Sequence, residues 1–153
     1  MKAALNFIIE VDFMNTEMFF KENVIKKENV FFAPSERFKE NGEVIRWEIR
    51  AISAKEDSLL RESAMKSVFD SSEKRYKKYF DSRKYMAKLC AASTVFPDLK
   101  NAHLQESYGV MGDDELILTM LTSGEYERYA KVVQAVNGYS EGFEELKNEA
   151  KNS

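Results

Sequence analysis

The side chains that most clearly could bind a ligand lie between residues 74 and 88, where cations are interspersed with aromatic rings. Cations can neutralise phosphates while rings stack on bases, so this basic-aromatic run could bind nucleic acid. It could also be a charged helix face whose rings pack on the core. The formal net charge of −3 and the lack of a nucleic-acid motif favour that second interpretation. The run comprises Lys74, Arg75, Lys77, Lys78, Arg83, Lys84 and Lys88, with Tyr76, Tyr79, Phe80 and Tyr85.

Metal-binding chemistry has little support among the other polar residues. The single histidine, His103, lies near Asp98 and Glu106, but metal sites usually gather more His or Cys ligands. The acidic triplet at residues 113–115 is typical of a helix start, where carboxylates are favourable against the helix dipole. We therefore predict no metal and no cofactor.

Covalent catalysis has no better support. Cys90 falls in an apolar stripe with Met86 and Leu89, which is typical of a small buried residue. Ser123 is followed by Gly124, but the strand–turn–helix context of a nucleophile elbow is missing. The sequence predicts no catalytic residues and a protein that is not an enzyme.

Composition indicates a globular protein of a reducing compartment. The 153 residues are enough for a substantial core, and only two are Pro and six Gly. A single cysteine cannot form an internal disulfide, which fits the cytoplasm. No apolar run approaches the roughly 20 residues of a membrane span. Glu10 and Asp12 interrupt the first apolar stretch, unlike a signal peptide.

The first residues form a pattern of their own. Residues 4–13 alternate apolar and polar side chains, as a half-buried strand does. We expect residues 1–13 to be an extension or an edge strand, and residues 14–153 to be a single domain. A short helix is predicted to follow, ending at about Asn23.

A β-hairpin is predicted over about residues 28–52. Asn41-Gly42 joins two β-rich runs, and this pair favours a type I′ turn because both residues tolerate positive φ. Trp47 falls on the apolar face of the second arm, so we expect a helix to bury it. Pro34 cannot donate to a strand ladder, which predicts an edge or a bulge there.

The helical part is predicted to span about residues 54–150. A capping box of Ser53 and Glu56 opens a helix to about Phe69. Further helices are expected at residues 81–94, 102–108, from 113, from a second capping box at Thr122 and Glu125 to Gly138, and at 141–150. The predicted class is α+β, mainly α, with an N-terminal β-hairpin packed on a bundle of four to six short helices.

Long stretches of the chain resemble one known family. "FPDLKNAHLQESYGV" and "DDELILTMLTSGEYERYAKVVQAVNGY" are similar to the C-terminal half of the XkdN-like phage tail assembly chaperones. "FFAPSERFKENGEVIRWEIRAISAKEDSLLRES" resembles their N-terminal half, with a Ser-x-Arg-Phe strand, a turn, a Trp-containing strand and an acidic helix start. The resemblance runs from about Met14 to about Leu146.

The resemblance implies a non-enzymatic chaperone of phage or prophage tail assembly that binds the tape-measure protein. It implies action in the host cytoplasm and absence from the mature virion; the tail-tube protein is a second candidate partner, and self-association is open. The contact surface is expected on the C-terminal helices, at Tyr126, Tyr129, Val133, Phe143 and Leu146. The alternative is a nucleic-acid-binding phage accessory protein that uses the run at residues 74–88.

Overall fold

The structure, a computed structural model, describes residues 16–139. A 3-10 turn at Glu17–Phe19 precedes four short strands: β1 (Val30–Phe32), β2 (Lys39–Glu40), β3 (Glu43–Val44) and β4 (Trp47–Ile49). Helix α1 (Ala54–Ser63) leads into the strands β5 (Met65–Asp70) and β6 (Arg75–Phe80). The remaining elements are α2 (Ser82–Ser93), β7 (Thr94–Phe96), α3 (Ala102–Ser107), α4 (Asp113–Met120) and α5 (Ser123–Val136). This confirms the α+β class.

The predicted hairpin is present and turns where the sequence indicated. β1 pairs antiparallel with β4, and β2 with β3. Asn41 and Gly42 have φ angles of 52° and 82°, the left-handed values that a type I′ turn requires. The predicted strand at residues 4–13 and the predicted helix at 141–150 lie outside the described residues. The helix expected up to Asn23 is only the 3-10 turn.

The hairpin gains a third strand that the sequence did not indicate. β7 pairs antiparallel with the other side of β4, so the sheet order is β1-β4-β7. α2 ends at Ser93, as predicted to within one residue, but the chain then continues as a strand that was not predicted. At this junction the N–H of Thr94 donates to the carbonyl of Ala91 and its hydroxyl donates to the carbonyl of Cys90, while Thr94 lies opposite Ile49 in the sheet.

The helix predicted from Ser53 to about Phe69 is wrong in its second half. Ser53 caps α1 as expected, through a hydrogen bond from the Glu56 N–H to its hydroxyl. The helix ends at Ser63, and the following residues form a strand that pairs with β6 along its whole length. The predicted helical part, residues 54–150, is therefore interrupted by a second β-hairpin.

The core lies between the three-stranded sheet and helices α2, α4 and α5. Trp47 is 1% exposed, which confirms its predicted burial, and its ring meets Tyr129 edge-on with centroids 5.2 Å apart. Phe38 packs on the same indole at 5.8 Å. The apolar stripe predicted for α2, which comprises Met86, Leu89 and Cys90, is buried or half-buried. The three-stranded sheet therefore packs against the helices through the side that carries Trp47.

Candidate functional site

The longest hairpin within residues 16–139, formed by β5 and β6, is largely exposed. Ten of its twelve strand residues are exposed. Residues opposite each other in the register point to the same side, and successive residues alternate, so the hairpin has two distinct faces. We call residues 65–80 the projecting hairpin.

One side of the projecting hairpin is apolar. Its exposed fractions are 45% for Met65, 54% for Phe69, 72% for Tyr76 and 43% for Phe80. Phe69 and Tyr76 lie opposite each other, with an edge-on ring contact at 5.2 Å. We call this side the aromatic face; it consists of Met65, Ser67, Phe69, Tyr76, Lys78 and Phe80. Lys78 is its only charged residue.

The other side and the tip carry most of the charges, and several are already paired. The Lys77 ammonium contacts Asp70 at 2.7 Å and Glu73 at 2.9 Å, and Arg75 contacts Glu73 at 2.6 Å. The hydrogen bond from Lys77 is the largest of several that hold the pKa of Asp70 well below its usual range. These pairs leave Lys66, on the same side, without a carboxylate partner among residues 16–139. We call this side the charged face.

The turn between the strands is organised by one carboxylate. The Asp70 side chain accepts hydrogen bonds from the N–H of Ser72 at 2.8 Å and of Glu73 at 3.2 Å. Lys74 then adopts a φ of 51°, which reverses the chain. The turn therefore fixes the register on which the two faces depend.

A polar cluster anchors the base of the hairpin to α1 and α2. Arg61 donates to Asp57 at 2.7 Å and to the Tyr85 hydroxyl at 3.1 Å, while that hydroxyl donates to Asp57. The Tyr85 ring packs on Phe80 at 5.4 Å. The N–H of Asp81 donates to the carbonyl of Ala64 at 2.9 Å, which closes the base. We call Asp57, Arg61 and Tyr85 the anchor cluster.

The electrostatics of the anchor cluster suit positioning, not proton transfer. Burial by itself would raise the pKa of Asp57, but hydrogen bonds from Tyr85 and Arg61 outweigh it and lower that pKa. Burial, together with the bond to Asp57, raises the pKa of Tyr85. Near neutral pH the carboxylate stays ionised and the phenol stays protonated, so the cluster is a fixed network.

The basic-aromatic run does not form the continuous helix face that the sequence suggested. Lys74, Arg75, Lys77 and Lys78 belong to the projecting hairpin, whereas Arg83, Lys84 and Lys88 belong to α2. The run switches from period two to period 3.6 at Asp81, which caps α2 through the N–H of Lys84. A sign of this was present in the sequence: two runs of six residues flank the turn-forming stretch Ser-Ser-Glu-Lys.

The residues predicted to bind a partner differ in how far they are buried. Tyr129 and Val133 are fully buried in the core, and Tyr126 is half-buried beside Cys90. Phe143 and Leu146 lie outside the described residues. Tyr129 and Val133 therefore offer no surface while α5 is packed, and partner binding by this set stays a prediction.

His103, Asp98 and the acidic triplet at residues 113–115 do not form a metal site within the described part of the chain. His103 is exposed on α3, and Asp98 accepts a hydrogen bond from the Lys100 N–H in the preceding loop. Asp113, Asp114 and Glu115 form the first turn of α4, although Gly112, not Asp113, is its N-cap. No group of three potential metal ligands occurs within residues 16–139. In that same range no helix is long and apolar enough to cross a bilayer.

Cys90 occupies the buried position that its stripe predicted. The thiol is fully enclosed, and burial raises its pKa to about 12. A thiol with that pKa is almost entirely protonated at neutral pH, and a protonated thiol is a poor nucleophile. Cys90 therefore serves as a small core residue.

Comparison with known proteins identifies the family. The model of the phage XkdN-like tail assembly chaperone proteins matches residues 16–151. That range covers most of the sequence, including every described element. The chain belongs to this family. This confirms the resemblance to a family of phage tail assembly chaperones, which is not a known enzyme class.

Two relatives from Bacillus subtilis (strain 168) match about half of the chain. The phage-like element PBSX protein XkdN is 32% identical over 76 residues, which are 49% of this chain and 51% of XkdN. The protein YqbN is 30% identical over 76 residues, with the same coverage. The matches thus span only about half the length of these relatives.

A solved structure shows the same fold. The crystal structure of the protein YqbN superposes with a TM-score of 0.67, over 80% of this chain and 95% of that one, at 24% identity. Agreement over so much of the chain supports the arrangement described above.

The Ser-x-Arg-Phe motif, expected to be a strand, instead forms the turn before β2 and links the sheet to the helices. Ser35 is buried, and its hydroxyl accepts a hydrogen bond from the N–H of Arg37. Arg37 reaches the carbonyl of Met120 at 2.9 Å, and Phe38 packs on Trp47. These contacts give the motif a structural role. The projecting hairpin is therefore the better candidate for a functional surface.

Proposed function

We propose that this protein binds the tape-measure protein of a phage or prophage tail and keeps it soluble until the tail tube assembles around it. The family match over residues 16–151 carries this proposal. Binding would be transient, so the protein would act in the host cytoplasm and be absent from the mature tail. The tail-tube protein is a second candidate partner.

The surface of the protein supports such a role. A chaperone of this kind needs exposed apolar side chains on a framework that stays folded without its client. The aromatic face of the projecting hairpin supplies exposed rings, while the anchor cluster holds the hairpin to the body. A row formed by Phe31, Glu48 and Phe96 on the outer side of the three-stranded sheet adds a smaller apolar surface.

The alternative, nucleic-acid binding through residues 74–88, has less support. Phosphate binding needs several unpaired cations on one surface. Arg75 and Lys77 are paired with carboxylates at the hairpin tip, and Lys88 has a longer contact of 3.8 Å with Asp114. Asp70 and Glu73 therefore partly neutralise the cations at that tip.

Co-expression tests the proposed function. The tape-measure protein from the same tail gene cluster should become more soluble when produced with this protein, and the two should co-purify. Co-expression with an unrelated acidic protein of similar size is the control. If the two proteins do not associate, and this protein instead retards labelled DNA with a steep dependence on salt, the nucleic-acid alternative replaces the chaperone proposal.

A further inference from the structure

We propose that the aromatic face of the projecting hairpin is the docking surface for the client, and that it receives an amphipathic helix with a carboxylate in the middle of its apolar stripe. This inference rests on the proposed function and adds to it the contact surface and the chemistry of the partner segment.

Within residues 16–139, much of the aromatic face of the projecting hairpin is uncovered, although its base is anchored. Isolated two-stranded hairpins are marginally stable in water unless another strand or a helix covers them. The aromatic face has four large apolar side chains, each more than 40% exposed. Among the ring contacts of residues 16–139, this face meets a neighbouring element at its base, where Phe80 packs on Tyr85. A partner that covered the face would bury the other three as well.

The dimensions of the face fit a short helix. Strands of six residues are about 20 Å long at the usual rise of about 3.3 Å per residue. About 13 residues of α-helix span the same length at 1.5 Å per residue. A helix of three to four turns could therefore lie along the aromatic face with its apolar stripe against the rings.

The positive charge of the projecting hairpin indicates that the partner helix carries a carboxylate. The projecting hairpin carries five cations and two carboxylates, a net charge of +3 on a chain whose net charge is −3. Lys78 lies in the middle of the aromatic face, between the Phe69–Tyr76 and Met65–Phe80 pairs, and has no carboxylate partner within residues 16–139. A helix that covered Lys78 would need a carboxylate there, because an unpaired buried ammonium is costly.

The same arrangement disfavours the other possible occupants. Nucleic acid would meet one cation on this face, with Asp70 and Glu73 at the tip. A second copy that docked face to face would bring two Lys78 ammonium groups together without a carboxylate between them. An amphipathic helix with a carboxylate in its apolar stripe can cover the rings and pair with Lys78 at the same time.

The test compares two charge reversals on opposite faces of the hairpin. Lys78→Glu changes the aromatic face, and Lys66→Glu changes the charged face; both residues are exposed and unpaired within the described part of the chain. Each variant has the same net charge. In co-purification with the tape-measure protein, Lys78→Glu should lower the yield of complex by about tenfold or more, and Lys66→Glu should leave it within about twofold.

A second pair of variants tests the apolar contact. Phe69→Ser removes a ring from the aromatic face, and Val68→Ser removes an apolar side chain from the charged face. Only Phe69→Ser should reduce the complex. Melting temperature and near-ultraviolet circular dichroism of each variant establish that the body, including Trp47, is still folded.

The outcomes separate this inference from the proposed function. If the unaltered protein binds the tape-measure protein and Lys78→Glu binds equally well, the hairpin proposal is overturned while the chaperone function stands. Equal losses for Lys78→Glu and Lys66→Glu overturn it too, because they indicate a general effect of charge. If Lys78→Glu instead dissociates an oligomer of the free protein, the occupant is a second copy. If the unaltered protein does not bind, both proposals fail.

Discussion

Arg37 and Glu125 join the segment before β2 to the first turn of α5. The Arg37 guanidinium donates to both carboxylate oxygens, with an Nε–Oε2 distance of 3.3 Å. Glu125 also accepts a hydrogen bond from the N–H of Thr122 at 2.8 Å, as part of the capping box that begins α5. One carboxylate therefore links the N-terminal sheet region to the C-terminal helix that buries Trp47.

This pair gives a prediction about pH. Hydrogen bonds from Arg37 are the main reason that the pKa of Glu125 lies well below its ordinary value of 4.5. Since the pKa is lower in the folded state, the pair stabilises the fold above about pH 4.5, and this contribution is lost as the pH falls towards the folded-state pKa. Glu125→Gln can keep the capping hydrogen bond but not the charge.

We expect the unaltered protein to melt at a higher temperature than Glu125→Gln at pH 7. The difference should shrink as the pH falls below about 4.5. Thermal unfolding of both proteins across this range is the measurement. A difference that did not change with pH would show that the charge of Glu125 contributes nothing.

The burial of Trp47 predicts a large effect on stability. Trp47→Ala should lower the free energy of unfolding by about 3–5 kcal/mol, because it leaves a cavity between Phe38 and Tyr129. Phe31→Ala is the matched control, since Phe31 is exposed on the opposite side of the same sheet, and it should cost much less. Denaturant titration gives both values; similar losses would contradict the assignment of the two sheet faces.

The anchor cluster predicts a specific role for one hydroxyl group. Tyr85→Phe keeps the ring on Phe80 but removes the hydrogen bond to Asp57, and should cost about 1–3 kcal/mol. Tyr76→Phe, whose hydroxyl is on the exposed face, should change stability by less than about 0.5 kcal/mol. Hydrogen exchange should also become faster in β5 and β6 of Tyr85→Phe alone. Unchanged exchange there would mean that the cluster does not hold the hairpin.

The domain boundary at residues 13 and 14 remains a prediction. The family match begins at residue 16, close to the predicted boundary. A chain that begins at Met14 should be soluble and should unfold in one cooperative thermal transition. Insolubility, or the loss of that transition, would place the apolar stripe of residues 4–13 in the core.

Local signals in the sequence were enough to predict one turn and three helix starts. Asn41-Gly42 predicted the turn, and Ser53, Asp81 and the Thr122–Glu125 capping box predicted three helix starts, because each acts within four residues of the chain. The apolar stripe of Met86, Leu89 and Cys90 also predicted the buried side of α2. The family resemblance followed from the order of these same signals.

The projecting hairpin was decided by tertiary structure. Ala64, Met65 and Val68 have a spacing that also fits a continuing helix, and only pairing with Arg75–Phe80 makes the strand more stable. β7 likewise forms because β4, far away in sequence, offers an open edge. Sequence spacing placed Tyr129 and Val133 on one helix side but could not tell core from contact surface. That distinction depends on what packs opposite, and here Trp47 and the sheet enclose them.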